Sequence, residues 1–106
     1  MANNYFKLIS SSSISATADS IVNTAATATT LVIHSVYVTN IGEALTFANV
    51  KVVDSSSGVT THIAFKSPIM SGDTLILDKP INLESGDSIR VRGANLEVTV
   101  SALEIS

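Results

Sequence analysis

Short runs of alternating apolar and polar residues, separated by turn residues, predict β-strands along most of this chain. In the last third, residues 71–74 (Ser-Gly-Asp-Thr) precede the apolar run 75–77, and residues 85–88 (Ser-Gly-Asp-Ser) precede the run 89–91. A Ser-Gly-Asp turn favours the start of a strand, because Gly supplies backbone freedom and Asp bonds its own local amides. Residues 96–100 then alternate with period two, so we expect consecutive antiparallel strands, a β-meander.

Similar patterns predict about eight strands with turn signals at roughly 8–12 residue spacing, which is typical of a sandwich or barrel. The candidate runs, eight regular ones and an irregular one at residues 14–22, lie at residues 5–9, 14–22, 31–40, 45–53, 59–65, 75–77, 81–83, 88–92 and 96–105, with a loop at 23–30 and a hairpin loop at 54–58. We therefore predict an all-β fold, an antiparallel, jelly-roll-like β-sandwich. Residues 1–13 form an N-terminal arm or edge strand with a Ser-rich joint, and residues 14–106 form a single sandwich domain.

Both alternating sets of residues 31–40 contain apolar side chains, Val32, Val36 and Val38 with His34 on one side and Leu31, Ile33 and Tyr37 on the other. This pattern predicts a central strand covered on both faces. A change of register near Asn49 predicts a β-bulge. In the last strand the apolar positions change sides after residue 100, which predicts a bulge near Ser101 or a strand that crosses between sheets.

For the strand at residues 59–65 we expect Ile63 and Phe65 to point inward. Pro68 should end this strand, because proline cannot donate a hydrogen bond to a neighbouring strand.

The composition describes a single small domain whose polar residues are mostly uncharged. Ser and Thr account for 27 of the 106 residues, whereas charged residues make up 14% and the net charge is −3. Such a surface suits a protein packed against other subunits, since free monomers carry more charge for solubility. The alternative is that threonine simply favours strands.

Several classes of protein are disfavoured by the residues present. The chain has no Cys, no Trp and no apolar run of membrane-spanning length. The N-terminus lacks the pattern of a signal peptide, so we expect synthesis in the cytoplasm. The six basic residues are scattered along the chain, which predicts no binding to nucleic acid; they are Lys7, Lys51, Lys66, Lys79, Arg90 and Arg92.

Candidate chemistry is sparse. His34 and His62 lie within predicted strands without carboxylates at a metal-ligand spacing, so each is expected to be an ordinary residue on a strand face. A nucleophile motif of the Gly-x-Ser-x-Gly type is missing. The acidic residues of the predicted loops are better explained as turn formers than as calcium ligands; they are Asp54, Asp73, Asp78, Glu84 and Asp87. We therefore predict no enzymatic activity, no metal and no cofactor.

The strand-and-turn pattern of residues 73–91, closing on residues 96–105, resembles small structural proteins of tailed bacteriophage virions, especially those of cyanobacterial and other aquatic phages. The apolar strand of residues 30–40, ending in Val-Thr-Asn, belongs to the same resemblance, which extends from about Thr29 onward. The resemblance implies a non-enzymatic virion component on the capsid surface. Within that class, size favours a capsid decoration (cement) protein, and the resemblance implies a homotrimer bound to the major capsid protein. A tail, baseplate or fibre component and a glycan-binding adhesin module are the alternatives.

The N-terminal segment outside the resemblance carries the candidate interaction residues. Residues 5–9 (Tyr-Phe-Lys-Leu-Ile) hold two of the five aromatic residues of the chain, and four serines follow them. Such a segment either adds an edge strand to its own sheet or docks on a neighbouring subunit by strand addition. The docking alternative assigns the contacts to Tyr5, Phe6, Leu8 and Ile9.

Overall fold

Nine β-strands form two antiparallel sheets in the computed structural model of the chain, which describes residues 4–12 and 14–105, with side chains from residue 6 onward. The strands are β1 (Asn4–Ser11), β2 (Ser20–Thr24), β3 (Thr30–Asn40), β4 (Thr46–Val53), β5 (Thr60–Ile69), β6 (Thr74–Leu77), β7 (Ile81–Leu83), β8 (Ser88–Arg92) and β9 (Leu96–Ile105). The predicted all-β class is confirmed. The irregular strand expected over residues 14–22 begins later, at Ser20.

The strand order explains how the chain builds a sandwich. Sheet A has the order β1-β9-β3-β6, with β7 also paired to β3, and sheet B has the order β2-β8-β4-β5. From β1 to β4 the chain alternates between the sheets, and β8 and β9 each insert between earlier strands, as in a jelly roll. The expected C-terminal meander is therefore wrong. A turn motif sets where a strand begins, but its pairing partner depends on long-range burial.

The core lies between the two sheets and consists mainly of aliphatic side chains. Its fully buried members include Leu31, Ile33, Leu83, Ile89 and Leu96. Burying each such side chain contributes about 1.5–3 kcal/mol relative to leaving it exposed.

A bulge in β3 corrects the prediction that this strand is covered on both faces. The register against β9 shifts between Ile33 and Ser35. Because the extra residue, His34, reverses the alternation, Ile33 before the bulge and Val36 after it both face the core. His34 and Tyr37 face outward instead. Only one face of β3 is buried by this chain.

The irregularity expected near Ser101 lies on the partner strand. The bulge of β3 is opposite Ser101 and Ala102, while β9 keeps its alternation without crossing between sheets. Val100 and Ala102 are buried, and Leu103 lies on the outer face of sheet A.

The β-bulge expected near Asn49 is confirmed, since the register of β4 against β5 shifts between Ala48 and Val50. The backbone N–H of Lys66 donates to Oδ1 of Asn49 at 2.7 Å. The inward placement expected for Ile63 and Phe65 is wrong, because the same irregularity turns Ala64 toward the core and leaves Phe65 59% exposed and Ile63 36% exposed.

Proline 68 does not end β5, which runs on to Ile69 and pairs Pro68 with Phe47. Strand β5 is the edge strand of sheet B. An edge strand tolerates proline because the side of the backbone that lacks the N–H can face outward.

The two Ser-Gly-Asp motifs do form turns before strands, as predicted. Gly72 and Gly86 adopt φ values of 81° and 86°, in the left-handed region that favours glycine, immediately before β6 and β8. The carboxylate of Asp87 accepts hydrogen bonds from the backbone N–H groups of Glu84 and Ser55, each at 3.0 Å. Asp87 therefore ties its own turn to the loop between β4 and β5.

Candidate interaction surfaces

The outer face of sheet A presents several apolar side chains that are exposed or half-buried, and we call it the apolar face. Its members are Phe6, Leu8, Val32, Tyr37, Ile76 and Leu103, which the strand register brings together. Phe6 lies opposite Leu103, which lies opposite Val32, and Tyr37 lies opposite Ile76. Phe6 and Leu8 are 81% and 72% exposed. A cluster of large exposed apolar side chains marks a surface for binding another molecule.

The structure divides the candidate interaction residues between two surfaces. Phe6 and Leu8 stand on the apolar face, whereas Ile9 lies opposite Val100 and packs against the core. The backbone of Tyr5 pairs with Glu104, and its side chain lies outside the described residues. The segment forms β1, the edge strand of sheet A, so Phe6 and Leu8 are presented by a strand already paired with β9.

Four of the six basic residues meet on the outer face of sheet B, although they are scattered in the sequence. Lys51 lies opposite Arg90, and Arg92 lies two residues further along β8, opposite Asn49. The fourth, Lys66, places its Nζ 5.2 Å from the centre of the Phe65 ring. We call this surface the basic face. Residues scattered along the sequence are thus brought together by the strand register.

One carboxylate, that of Asp19, lies against the basic face. Lys51 Nζ contacts Asp19 Oδ2 at 2.7 Å, and Arg92 Nε lies 4.0 Å from Asp19 Oδ1. The hydrogen bond from Lys51 lowers the pKa of Asp19 below its ordinary value, and the positive charges of Lys51, Arg92 and Arg90 add to that effect, while partial burial opposes it. Asp19 is thus held ionised and offsets one of the four positive charges.

Exposed aromatic side chains lie among the cations of the basic face. His62, opposite Lys51, packs edge-on against Phe65 with ring centres 4.8 Å apart. Phe47, opposite Pro68, is more than half exposed on the same side of the sheet. Aromatic residues and arginine are enriched in the contact surfaces of proteins.

The spacing of residues 88–92 contains a signal for part of the basic face. Arg90 and Arg92 are two residues apart in a predicted strand, so they necessarily share one face. Adding Lys51 and Lys66 required the register of β4 against β8 and β5, which the sequence pattern does not give.

The two histidines occupy opposite outer surfaces of the sandwich. His34 lies on sheet A with its ring centre 6.2 Å from that of Phe6, and His62 lies on sheet B. Within residues 4–12 and 14–105, no group of three or more His, Asp or Glu side chains could hold a metal ion.

The surface also carries clefts, and two of them are defined by the following residues. One, of about 340 Å³, is lined mainly by hydroxyl groups from residues 10–12, Thr39 and Thr99, with Glu97 beside them. The other, of about 330 Å³, lies between β5 and β6 and is lined by Ile63, Ile76, Leu77, Asp78, Lys79 and Ile81. In the part of the chain that the structure describes, no helix is long and apolar enough to cross a membrane.

Comparison with known proteins identifies no relative: no protein-family model, no curated protein and no solved structure matches the chain.

Proposed function

We propose that this protein is a non-enzymatic structural component of a phage virion, a capsid decoration protein that binds the major capsid protein and stabilises the head. The sequence resemblance described above motivates the class. The observation that carries the proposal is the exposure of Phe6 and Leu8 on the apolar face. Covering each side chain in a complex would contribute about 1.5–3 kcal/mol before the costs of association.

The dimensions of the molecule are compatible with a bridging role. The sandwich measures 48 × 27 × 22 Å along its principal axes. An elongated subunit can contact two neighbouring shell subunits at once, and assembly as a homotrimer multiplies these contacts through avidity. The stabilisation of the shell is then the sum of many individually weak contacts, and no single residue supplies most of it.

The number of copies per particle tests the proposed location. Purified particles of the virus that encodes this chain should show its band on a stained gel in a molar ratio to the major capsid protein that corresponds to hundreds of copies. Particles that lack the protein should release their DNA at a lower temperature or after a milder osmotic shock. A few dozen copies would instead indicate a tail, baseplate or fibre component, and unchanged robustness of the depleted heads would contradict the stabilising role.

The contact itself can be tested with two matched double variants. Phe6→Ser with Leu8→Ser removes two exposed apolar side chains from β1, and Ile41→Ser with Leu45→Ser removes two from the loop before β4. All four side chains are more than half exposed, so both variants should fold. Only the first should lose co-sedimentation with heads that lack the protein. Equal binding of the two variants would show that the apolar face does not contact the shell.

A further inference from the structure

We propose that the basic face binds the acidic surface of a second copy of this chain, in a heterologous interface that closes into a ring. The inference deepens the homotrimer included in the proposed function by naming the surfaces that form it. Its physical basis, the distribution of charge over the molecule, does not depend on the virion assignment.

The charges of this protein are strongly segregated. The basic face carries Lys51, Lys66, Arg90 and Arg92 with the single carboxylate of Asp19, a formal charge of +3. Since the whole chain has a net charge of −3, the rest of the molecule carries −6, from two lysines and eight carboxylates. Those eight carboxylates lie in turns or on β9 of sheet A. Opposite charges on different sides of one molecule favour contact between copies.

The sign of the charge on the basic face decides which symmetry the contact can have. A two-fold interface uses the same patch on both subunits. A dimer whose two-fold axis passes through the basic face would place two surfaces of charge +3 against each other, and like charges across an interface are strongly unfavourable. The basic face must therefore meet a different surface of its neighbour. A contact of that kind repeats from copy to copy and ends only when the ring closes.

The complementary surface lies at the end of the sandwich where β3 ends and β4 begins, and we call it the acidic end. Its carboxylates are Glu43, Asp73 and Glu97. Ser71 Oγ donates to the carbonyl of Gly42 at 2.6 Å, which holds the loops of Glu43 and Asp73 together. Glu97 lies opposite Thr39, whose Oγ1 is 2.9 Å from that of Thr74, next to Asp73.

The side chains between the cations favour a protein partner over a nucleic acid. Exposed Ile21 and Phe47 offer apolar contact area next to Arg90 and Arg92. Stacking of bases requires free aromatic faces. The ring of Phe65, however, already has Lys66 over it and His62 at van der Waals distance. Two of the four cations also contact Asp19, which leaves fewer of them for phosphates.

Sedimentation of the purified protein at micromolar concentration, with salt as the variable, tests this interface. We expect a closed oligomer at about 50 mM salt that dissociates toward 1 M salt, where the Debye length falls to about 3 Å. Arg90→Glu should weaken association roughly tenfold or more by placing a negative charge against the acidic end. The control is Lys79→Glu, which makes the same change in net charge on a loop beside sheet A.

Mixing variants gives a second, more specific test. Glu43→Lys should also weaken association, because Glu43 is an exposed residue of the acidic end. An equimolar mixture of the Arg90→Glu and Glu43→Lys proteins should associate more strongly than either variant alone, because two of the three interfaces of a mixed trimer then join surfaces of opposite charge.

Three results would overturn the proposal. They are a wild-type protein that stays monomeric at low salt, equal association of Arg90→Glu and Lys79→Glu, and a mixture that associates no more strongly than either variant alone. Binding of a single-stranded oligonucleotide that Arg90→Glu abolishes, together with a monomeric wild type, would assign the basic face to nucleic acid instead. None of these results depends on virions, so they are distinguishable from failure of the decoration role.

Discussion

At the scale of single residues, two buried polar side chains position the loops at the two ends of the sandwich. Asn40 is fully buried, and its Nδ2 donates to the carbonyls of Ala44 and Ile69 at 2.8 and 2.9 Å, while its Oδ1 accepts from the N–H of Gly42 at 2.9 Å. At the other end, the carboxylate of Asp87 accepts hydrogen bonds from the backbone N–H groups of Ser55 and Glu84. Asn40, the last residue of the Val-Thr-Asn sequence, thus holds the loop that carries Glu43.

Replacing Asn40 with alanine should destabilise the protein by about 2–4 kcal/mol, because one buried backbone group and two partly buried ones lose their hydrogen-bond partner. Urea unfolding monitored by circular dichroism measures the change in unfolding free energy. Asn82→Ala is the matched control, since Asn82 is exposed on β7 and its substitution should change stability by less than about 0.5 kcal/mol. Equal losses in the two variants would refute the role assigned to Asn40.

The ion pair of Asp19 makes stability dependent on pH in a defined direction. Its pKa in the folded state is lowered, chiefly by the hydrogen bond from Lys51, so the ionised form stabilises the fold. That contribution is complete above the unfolded pKa of about 3.9 and disappears as the pH falls through the lower folded value. Since the pair is partly exposed, its contribution at neutral pH is about 1 kcal/mol or less.

Asp19→Asn should therefore be less stable than wild type at pH 7, and the difference should vanish in acid below the folded pKa. Thermal unfolding across this pH range measures the difference. In a Lys51→Met background the same substitution should have a much smaller effect, because the partner is absent. A difference between Asp19→Asn and wild type that stays constant with pH would contradict the assignment.

At the scale of elements, local chemistry identified the turns, but single inserted residues decided which side chains face outward. The Ser-Gly-Asp turns and the bulge at Asn49 were predictable, because glycine conformation and a broken alternation are visible in the sequence. The bulge at His34 was not predictable. Both alternating sets of positions in this strand contain apolar residues, and that pattern also fits a regular strand with two buried faces. The inward orientation predicted for Phe65 is wrong because the irregularity between β4 and β5 depends on how these strands pair. The sequence pattern does not contain that pairing.

One side of strand β1 packs against the core of the sandwich, and the other side forms part of the apolar face. Ile9 packs against the core, whereas Leu8, its neighbour, is exposed. Ile9→Ala should lower the free energy of unfolding by about 1–3 kcal/mol, and Leu8→Ala by less than about 0.5 kcal/mol. Chemical denaturation of the two variants side by side measures the difference.

Deleting residues 2–12 extends that experiment to the whole strand. We expect a lower melting temperature and self-association, because the backbone edge of β9 becomes exposed and available for pairing with another chain. A truncated protein with an unchanged thermal transition would show that β1 is not part of the cooperative fold and acts only as a docking segment.

At the scale of the whole molecule, the pairing of β1 with β9 joins the two ends of the chain across almost its full length. Asn4 lies opposite Ile105, and β3 in turn pairs with β9 from its other side. Contacts of such large sequence separation slow folding, because a long loop must close before they form.

Stopped-flow refolding from urea should therefore show time constants of roughly milliseconds to seconds, in the range of all-β sandwiches. Leu96 and Val98, in the central strand β9, are suitable positions for conservative substitutions that test whether this strand forms early. Refolding within microseconds would show that local contacts dominate folding despite this topology.

Because Asn4 and Ile105 are paired neighbours, the fold can tolerate new ends elsewhere. A short Gly-Ser bridge between the present ends, with the chain reopened in the exposed loop at residues 55–58, would give a circular permutant whose strands keep all their partners. Peptides grafted at both present ends would emerge side by side at one corner of sheet A, so a single copy of this protein could display two different sequences to the same receptor.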